Sequence, residues 1–250
     1  MLQELNLRPS RRLGQNYLHD QNLARIIVDF ARVGPEDAVV EIGPGLGALT
    51  EILREKTNSL RVVEKDTRAA EWLRARFPDI QVAASDALEV DFNVLLAPGS
   101  GPWICIGNLP YSTASRMMVM FCELPNRPIR MVFTVQREVA DRLVAKPGSA
   151  DYGLLTLLTQ PFYSIHSLRQ LPTSVFYPEP DVLSTVVGFE RVECALAPAQ
   201  LAKYRGLVKN AFQKRRKTLR AIFAKELPAN LRPDARPEDV PVEAWLEAAK

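Results

Sequence analysis

Residues 39–50 of the chain read VVEIGPGLGALT. Its apolar start is typical of a buried strand, and Gly43, Gly45 and Gly47 then follow at every second position. Because glycine has no Cβ, such a turn can adopt unusual backbone angles and lie close against a ligand. Leu46 and Leu49 begin a helical pattern. A strand that turns through glycines into a helix predicts an open α/β sheet with a ligand site at the carboxyl ends of its strands.

The composition is that of a globular protein with a sizeable core, since 47% of the 250 residues are hydrophobic and 24% are charged. No apolar run approaches the roughly 20 residues that a membrane helix needs, and the first 15 residues contain no apolar signal segment. The few cysteines and histidines are far apart in the sequence, which is typical of reduced thiols and argues against a metal site. They are Cys105, Cys122, Cys194, His19 and His166. We expect a cytoplasmic protein without a metal or a membrane anchor.

Strands and helices alternate over most of the chain, which predicts a mostly parallel sheet with helices on both faces. The predicted strands are 38–42, 60–64, 80–83, 103–107 and 130–135, and the predicted helices between and around them are 21–32, 46–56, 67–76, 113–122 and 137–145. Two later strands, 165–171 and 183–190, predict an antiparallel hairpin that closes the sheet. Helices are predicted at 199–213, 217–226 and 242–249. We expect a first domain over 1–194 and a small helical domain over 195–250.

Polar side chains follow the strands that come after the glycine turn. Glu64 ends one strand and lies about 20 residues after the turn, where its two oxygens can accept hydrogen bonds from ribose hydroxyls. Asp86 follows the next strand and can accept from an exocyclic amine. Asn108 begins the tetrapeptide Asn-Leu-Pro-Tyr after a third strand. In a parallel sheet these three side chains would meet in one crevice.

These segments together resemble the S-adenosylmethionine-dependent rRNA adenine N6-dimethyltransferases. The resemblance rests on the motifs EIGPGLGALT, VVEKD, SDAL and NLPY, and on segments at 12–20, 133–143, 175–184 and 211–220. It covers nearly the whole chain in order. It implies a Rossmann-like class I methyltransferase sheet, and transfer of methyl groups to N6 of two adjacent adenosines near the 3′ end of small-subunit (16S) rRNA during ribosome biogenesis.

The resemblance also implies roles for individual residues. Gly43 would approach the methionine part of S-adenosylmethionine, Glu64 would hold the ribose and Asp86 the adenine. The full set of implied cofactor-binding residues is Gln15, Asn16, Leu18, Gly43, Gly45, Glu64, Lys65, Asp86, Ala87 and Asn108.

The tetrapeptide at 108–111 suits transfer to an adenine amine. The N6 lone pair is delocalised into the ring, so the amine is a poor nucleophile. The Asn108 side-chain oxygen and the Leu109 carbonyl can each accept one N6 hydrogen and aim the lone pair at the methyl. Pro110 restricts the backbone of Leu109, and Tyr111 can stack on an extruded base. We also expect Phe176, in the proline-rich connection, to cover the other face of the adenine, or else to be a core aromatic.

A basic segment at 209–225 contains seven basic residues and no acidic one, which favours contact with RNA phosphates. Arg8, Arg11 and Arg12 form a smaller basic cluster near the start of the chain. The predicted RNA-binding residues are Arg11, Arg12, Lys214, Arg215, Arg216, Lys217 and Arg220.

Two features leave alternatives open. Asp181 and Leu183 stand where the family usually has a lysine and an aspartate, so any contact made by those residues in relatives is in doubt. The chain is also compatible with a large-subunit rRNA methylase of the macrolide-resistance type, or with a non-catalytic assembly factor on the same fold. We favour a monomer that acts on rRNA in an immature 30S-type particle.

Overall fold

A computed structural model of the chain describes residues 15–96, 101–194 and 196–250. Arg8, Arg11 and Arg12 therefore lie outside the described residues. The strands are β1 Tyr17–Leu18, β2 Ala38–Ile42, β3 Ser59–Glu64, β4 Gln81–Ala84, β5 Trp103–Asn108, β6 Arg130–Gln136, β7 Tyr163–Leu171, β8 Phe176–Tyr177 and β9 Ser184–Arg191. The α-helices are α1 Gln21–Ala31, α2 Thr50–Lys56, α3 Thr67–Arg76, α4 Phe92–Leu96, α5 Ala114–Glu123, α6 Arg137–Leu143, α7 Leu154–Thr159, α8 Pro198–Gln213, α9 Leu219–Phe223 and α10 Val242–Ala249.

Seven of the nine described strands form one sheet in the order β4-β3-β2-β5-β6-β9-β7. Strand β2 pairs in parallel with β3 and with β5, and β5 pairs in parallel with β6. Strand β9 pairs antiparallel with β6. The carboxyl ends of β2, β3 and β5 therefore lie along one edge of the sheet. This confirms the mostly parallel α/β sheet with an antiparallel end that the sequence predicts.

The glycine turn is longer than the sequence pattern predicts. Helix α2 begins at Thr50, whereas the leucine spacing predicts a start at residue 46. The Gly47 amide donates to the Pro44 carbonyl at 2.9 Å, which closes a turn before the helix. The backbone between β2 and α2 is therefore a loop that faces the edge of the sheet.

Two close approaches in the fold require glycine. A Cβ on Gly107, in β5, would lie 2.3 Å from the Ile42 carbonyl oxygen at the end of β2. Gly45 has a φ of +56°, and a Cβ there would lie 2.7 Å from Cδ1 of Tyr17. Any larger residue would push the ends of β2 and β5 apart, or push Tyr17 away from the turn.

Helix α1 packs against β5, β6 and β9. Asp20 caps it, accepting hydrogen bonds from the backbone amides of Asn22 and Leu23 at 2.9 Å each. Its apolar face joins the core through residues such as Ile27 and Val28.

A short two-stranded pair was not predicted. Strand β1 pairs antiparallel with β8, with Leu18 opposite Phe176 and Tyr17 opposite Tyr177. Directly opposite residues share one face of an antiparallel pair, so this pair has an apolar side and a tyrosine side. Two residues per strand give too little periodicity for a sequence pattern to reveal it.

The chain divides into two compact units. The first contains the described residues up to Ala140 together with His166–Arg191, and the second contains Asp141–Ile165 together with Val192–Lys250. In the second unit the buried Tyr204 hydroxyl donates to the Leu157 carbonyl at 2.7 Å, which ties α8 to α7. The segment 141–165 therefore packs with the C-terminal residues. The assignment of cofactor binding to 1–194 and of RNA binding to 195–250 stays a prediction.

Candidate active site

A cavity lies at the carboxyl ends of β2, β3 and β5 in the first unit. It brings together residues from segments more than 90 positions apart in sequence. The arrangement is the crevice that open α/β sheets use for ligands. The predicted cofactor residues and the predicted tetrapeptide all line it, namely Gln15, Asn16, Leu18, Gly43, Gly45, Glu64, Lys65, Asp86, Ala87, Asn108, Leu109, Pro110 and Tyr111.

Glu64 is the last residue of β3 and is only 6% exposed. Its Oε2 accepts from the Gly45 amide at 3.1 Å, and its Oε1 accepts from the Asp66 amide at 2.8 Å. Burial raises the pKa of this carboxyl, and the two amide hydrogen bonds oppose that rise. Each carboxylate oxygen can accept more than one hydrogen bond, so both oxygens can also receive a ribose hydroxyl.

Asp86 follows β4 at the far side of the cavity. Its Oδ2 lies 2.7 Å from Nζ of Lys65, and its Oδ1 accepts from the Leu88 amide at 3.0 Å. The hydrogen bond from Lys65 holds the pKa of Asp86 below its usual range. The carboxylate is therefore ionised and fixed, which suits an acceptor for an exocyclic amine.

The Asn108 side chain has a defined orientation. Its Nδ2 donates to the backbone carbonyl of Asn16 at 2.7 Å. A carbonyl can only accept, so the amide nitrogen must face Asn16 and Oδ1 lies on the other side of the amide. This leaves Oδ1 as the acceptor that Asn108 offers to the cavity.

The rest of the tetrapeptide is held by the backbone. The Leu109 amide donates to the Thr134 carbonyl at 3.1 Å, which ties the tetrapeptide to β6. The Pro110 carbonyl accepts from the amides of Thr113 and Ala114, so the chain turns at once into α5. The Tyr111 hydroxyl lies 2.8 Å from Oγ of Ser184. The segment is thus fixed at both ends before any substrate binds.

Phe176 is not brought to the cavity. It is 3% exposed, lies opposite Leu18 in the β1–β8 pair and belongs to the apolar core of the first unit. The alternation of side chains along β8 explains this position, because it turns Phe176 inward and leaves its neighbour Tyr177 56% exposed. Of the two interpretations of Phe176, the structure places it as a core aromatic. Its position gives no support for a role in covering the adenine.

The basic segment is not one continuous helix. Helix α8 ends at Gln213 and α9 begins at Leu219, with the Lys217 amide donating to the Lys214 carbonyl in the turn between them. Lys214, Arg216, Lys217 and Arg220 are exposed. Arg215 differs from them, because its Nε lies 2.7 Å from Oε2 of Glu238 within the second unit.

Glu41 is a cavity residue that sequence reasoning missed. It is 1% exposed, and the Thr50 hydroxyl donates to its Oε2 at 2.6 Å. Burial raises the pKa of Glu41 to about 8. The sequence does contain a signal for Glu41, which is an acidic residue within the apolar run VVEI. A charged side chain in a buried strand requires a partner or a function.

We expect the stability of the chain to depend on pH through Glu41. Folding raises the pKa of Glu41 from 4.5 to about 8. The contribution of Glu41 to the free energy of unfolding is therefore complete below about pH 4.5 and is lost as pH rises through about 8. Glu41→Gln does not titrate. The free energy of unfolding of the wild type should fall relative to that of the variant by on the order of 2 kcal/mol between pH 6 and pH 8.

Urea unfolding of both proteins across this pH range checks the Glu41 prediction. Asp37→Asn, which replaces a partly exposed carboxylate just before β2, is the control. The Glu41 prediction would be contradicted if the free energies of unfolding of the wild type and Glu41→Gln changed in parallel with pH.

Among the described residues, no three side chains of the types His, Cys, Asp and Glu lie together in a way that could hold a metal ion. The helices in the described ranges are too short or too polar to cross a membrane.

A mostly parallel sheet with a glycine turn, two carboxylates and Asn-Leu-Pro-Tyr at one edge defines the chain as a Rossmann-like class I methyltransferase. A family model for ribosomal RNA adenine dimethylases matches residues 6–240, and the chain belongs to this family. It is 41% identical over 209 residues to the ribosomal RNA small subunit methyltransferase A of Prosthecochloris aestuarii, a match that covers 84% of this chain and 79% of the relative. With the protein of the same name from Chromobacterium violaceum it shares 38% identity over 253 residues, covering 96% and 94%.

Two solved structures have the same fold. A dimethyladenosine transferase from Plasmodium falciparum superimposes with a TM-score of 0.79 at 22% identity, covering 92% of this chain and 95% of the other. The 23S rRNA methyltransferase ErmE superimposes with a TM-score of 0.70 at 27% identity, covering 94% and 98%.

Proposed function

We propose that this chain transfers methyl groups from S-adenosylmethionine to N6 of two adjacent adenosines near the 3′ end of small-subunit (16S) rRNA. The observation that carries the proposal is the orientation of Asn108, whose amide nitrogen is held by Asn16 at 2.7 Å so that its oxygen is offered as an acceptor. Identities of about 40% to relatives named as small-subunit methyltransferases support the choice of RNA.

The residues of the cavity fit the cofactor. Glu64 offers two acceptor oxygens for the ribose hydroxyls, Asp86 offers an acceptor for the adenine amine, and the Gly43 backbone leaves room for the methionine part. Among the described residues these groups line one cavity. When bound, S-adenosylmethionine supplies an electrophilic methyl group on a sulfonium.

The chain's own residues would prepare the adenine. Asn108 Oδ1 and the Leu109 carbonyl accept the two N6 hydrogens, and this draws the nitrogen lone pair out of conjugation. Tyr111 stacks on the extruded base and fixes its plane. Most of the rate enhancement then comes from positioning and from the preorganised acceptors. The amine does not need to lose a proton to a strong base before it reacts.

We propose further that the chain acts as a monomer in the cytoplasm on rRNA within an immature 30S-type particle. Lys214, Arg216, Lys217 and Arg220 would contact RNA phosphates, and the same role is proposed for Arg11 and Arg12. Arg215 is also a predicted RNA-binding residue, but it is the least available for a phosphate because it already forms an ion pair with Glu238.

The test of the function is transfer of labelled methyl groups to purified particles. We expect label in immature small subunits and not in large subunits. Preferential labelling of large-subunit RNA would support the macrolide-resistance type of activity instead, and RNA binding without any transfer would support an assembly factor.

We expect the exposed basic residues to set the salt dependence of RNA binding. A variant with Lys214, Arg216 and Lys217 all replaced by Gln should bind more weakly, and its slope of log affinity against log salt should fall by about 1 for each phosphate that the variant no longer neutralises. Filter binding at several salt concentrations measures the slope. Arg232→Gln is the control, since Arg232 is also exposed but pairs with Asp234. An unchanged slope in the triple variant would remove this segment from the RNA interface.

A further inference from the structure

The hydrogen bond between Tyr111 and Ser184 joins the cavity to the buried end of β9. The hydroxyl of Tyr111, in the tetrapeptide, lies 2.8 Å from Oγ of Ser184, a residue 73 positions later in the chain. Tyr111 lines the cavity, and Ser184 is completely buried at the start of β9. The proline-rich connection that ends at β9 is therefore tied directly to the segment that receives the substrate base.

Ser184 is a rigid partner. It lies opposite Gln136 in the β6–β9 pairing, and the next backbone hydrogen bond runs from the Arg137 amide to the Leu183 carbonyl at 2.9 Å. The sheet thus fixes the backbone of Ser184. Because Ser184 is buried, its hydroxyl would lose the hydrogen bond to Tyr111 without gaining one to bulk water if it turned away.

The contact acts on the orientation of the tyrosine ring. The ring is attached to the backbone at one end and is held by the hydrogen bond at the other. Because the phenolic O–H prefers the plane of its ring, a fixed partner for the hydroxyl favours one ring plane. Burial also raises the pKa of Tyr111, so the phenol keeps its proton and remains able to donate.

We propose that Ser184 is a positioning residue, which sets the ring plane of Tyr111 so that the target adenine stacks in the orientation required for methyl transfer. This rests on the proposed function, since it assigns Tyr111 the adenine. Ser184 does not itself touch the reacting atoms. Its effect should therefore appear in the rate of transfer and not in binding of S-adenosylmethionine.

The experiment compares Ser184→Ala, Tyr111→Phe and the double variant, using S-adenosylmethionine and immature small subunits. Each single variant removes the same hydrogen bond, so each should lower kcat by about tenfold, the size expected for removal of a buried hydrogen bond. The double variant should be no slower than the slower single variant. The affinity for S-adenosylmethionine, measured by equilibrium dialysis, should equal that of the wild type in all three.

Thr185→Val is the matched control. Thr185 is the next residue of β9 and is also buried, but within the described part of the chain its Oγ1 has no hydrogen-bond partner. Replacing that hydroxyl by a methyl keeps the shape of the side chain. This variant should retain the wild-type kcat and should be at least as stable as the wild type.

Three results would overturn the role of Ser184. The first is a wild-type kcat in Ser184→Ala. The second is a double variant in which the losses of the two single variants multiply. The third is a loss of cofactor affinity or of thermal stability in Ser184→Ala that accounts for its lower activity. The wild type tests the proposed function separately. If it methylates large-subunit RNA instead, that function is wrong, and the ratios among the variants on that RNA still decide the role of Ser184.

Discussion

Replacing Asn108 by Ala should abolish most methyl transfer while leaving the cofactor bound. Alanine removes the side-chain oxygen that we propose accepts an N6 hydrogen, and loss of one preorganised hydrogen-bonding group that acts in the transition state lowers kcat by roughly 100- to 1,000-fold. Asn108→Ala should bind RNA within about threefold of the wild type, and transfer is compared at saturating S-adenosylmethionine because Asn108 is also one of the implied cofactor-binding residues. Single-turnover transfer and filter binding measure the two effects.

Asn108→Asp sharpens this test. The aspartate still carries an acceptor oxygen, but its second oxygen would face the Asn16 carbonyl that now receives the amide nitrogen. Two acceptors repel each other, so the carboxylate should turn away and transfer should fall nearly as far as in the alanine variant. Asn93→Ala, an exposed change on α4, is the control. Wild-type transfer by Asn108→Ala would contradict the assigned mechanism, and a wild type with RNA binding but no transfer would indicate a binding protein.

Replacing Glu64 by Ala should weaken binding of S-adenosylmethionine by roughly 100-fold. The change removes the proposed acceptor for the ribose hydroxyls, and hydrogen bonds to charged groups contribute about 1.5–3 kcal/mol each. It also leaves the Gly45 and Asp66 amides without their acceptor, so the glycine turn loses a support. The affinity is measured directly by equilibrium dialysis, which does not depend on turnover.

Asp66→Ala is the matched control for Glu64. Asp66 is a carboxylate two residues away, but it caps α3 by accepting from the amides of Arg68 and Ala69. Its loss should cost about 1 kcal/mol of stability, as for other N-caps, with little change in cofactor affinity. If Glu64→Ala folds and binds the cofactor as tightly as the wild type, the ribose assignment is wrong.

The fold was predictable because its signals are local. The glycine turn, the apolar strand before it and the alternation of later elements all depend on residues close together in sequence. The leucine spacing predicts a helix start four residues too early, because Leu46 and Leu49 have helical spacing although Gly47 adopts a φ of +75°. Spacing alone does not report backbone angles.

The contacts that orient the site were not predictable in the same way. Asn16 and Asn108 are 92 positions apart, and Tyr111 and Ser184 are 73 apart, so no periodicity connects them. The sequence identified Asn108 and Tyr111 by their motif, but not the atoms that hold them. For Phe176 the sequence did not reveal the position itself. Its proline-rich surroundings do not show which face of a two-residue strand the side chain occupies.

Mapping the modified nucleosides in immature small subunits shows which bases and which positions the chain methylates. After incubation with the chain and labelled S-adenosylmethionine, the RNA is digested and its fragments are analysed by mass spectrometry. We expect N6,N6-dimethyladenosine at two adjacent positions near the 3′ end of the small-subunit rRNA, and roughly 100- to 1,000-fold slower formation with Asn108→Ala. Label on another base, on a ring nitrogen of adenine, or only on large-subunit RNA would contradict it.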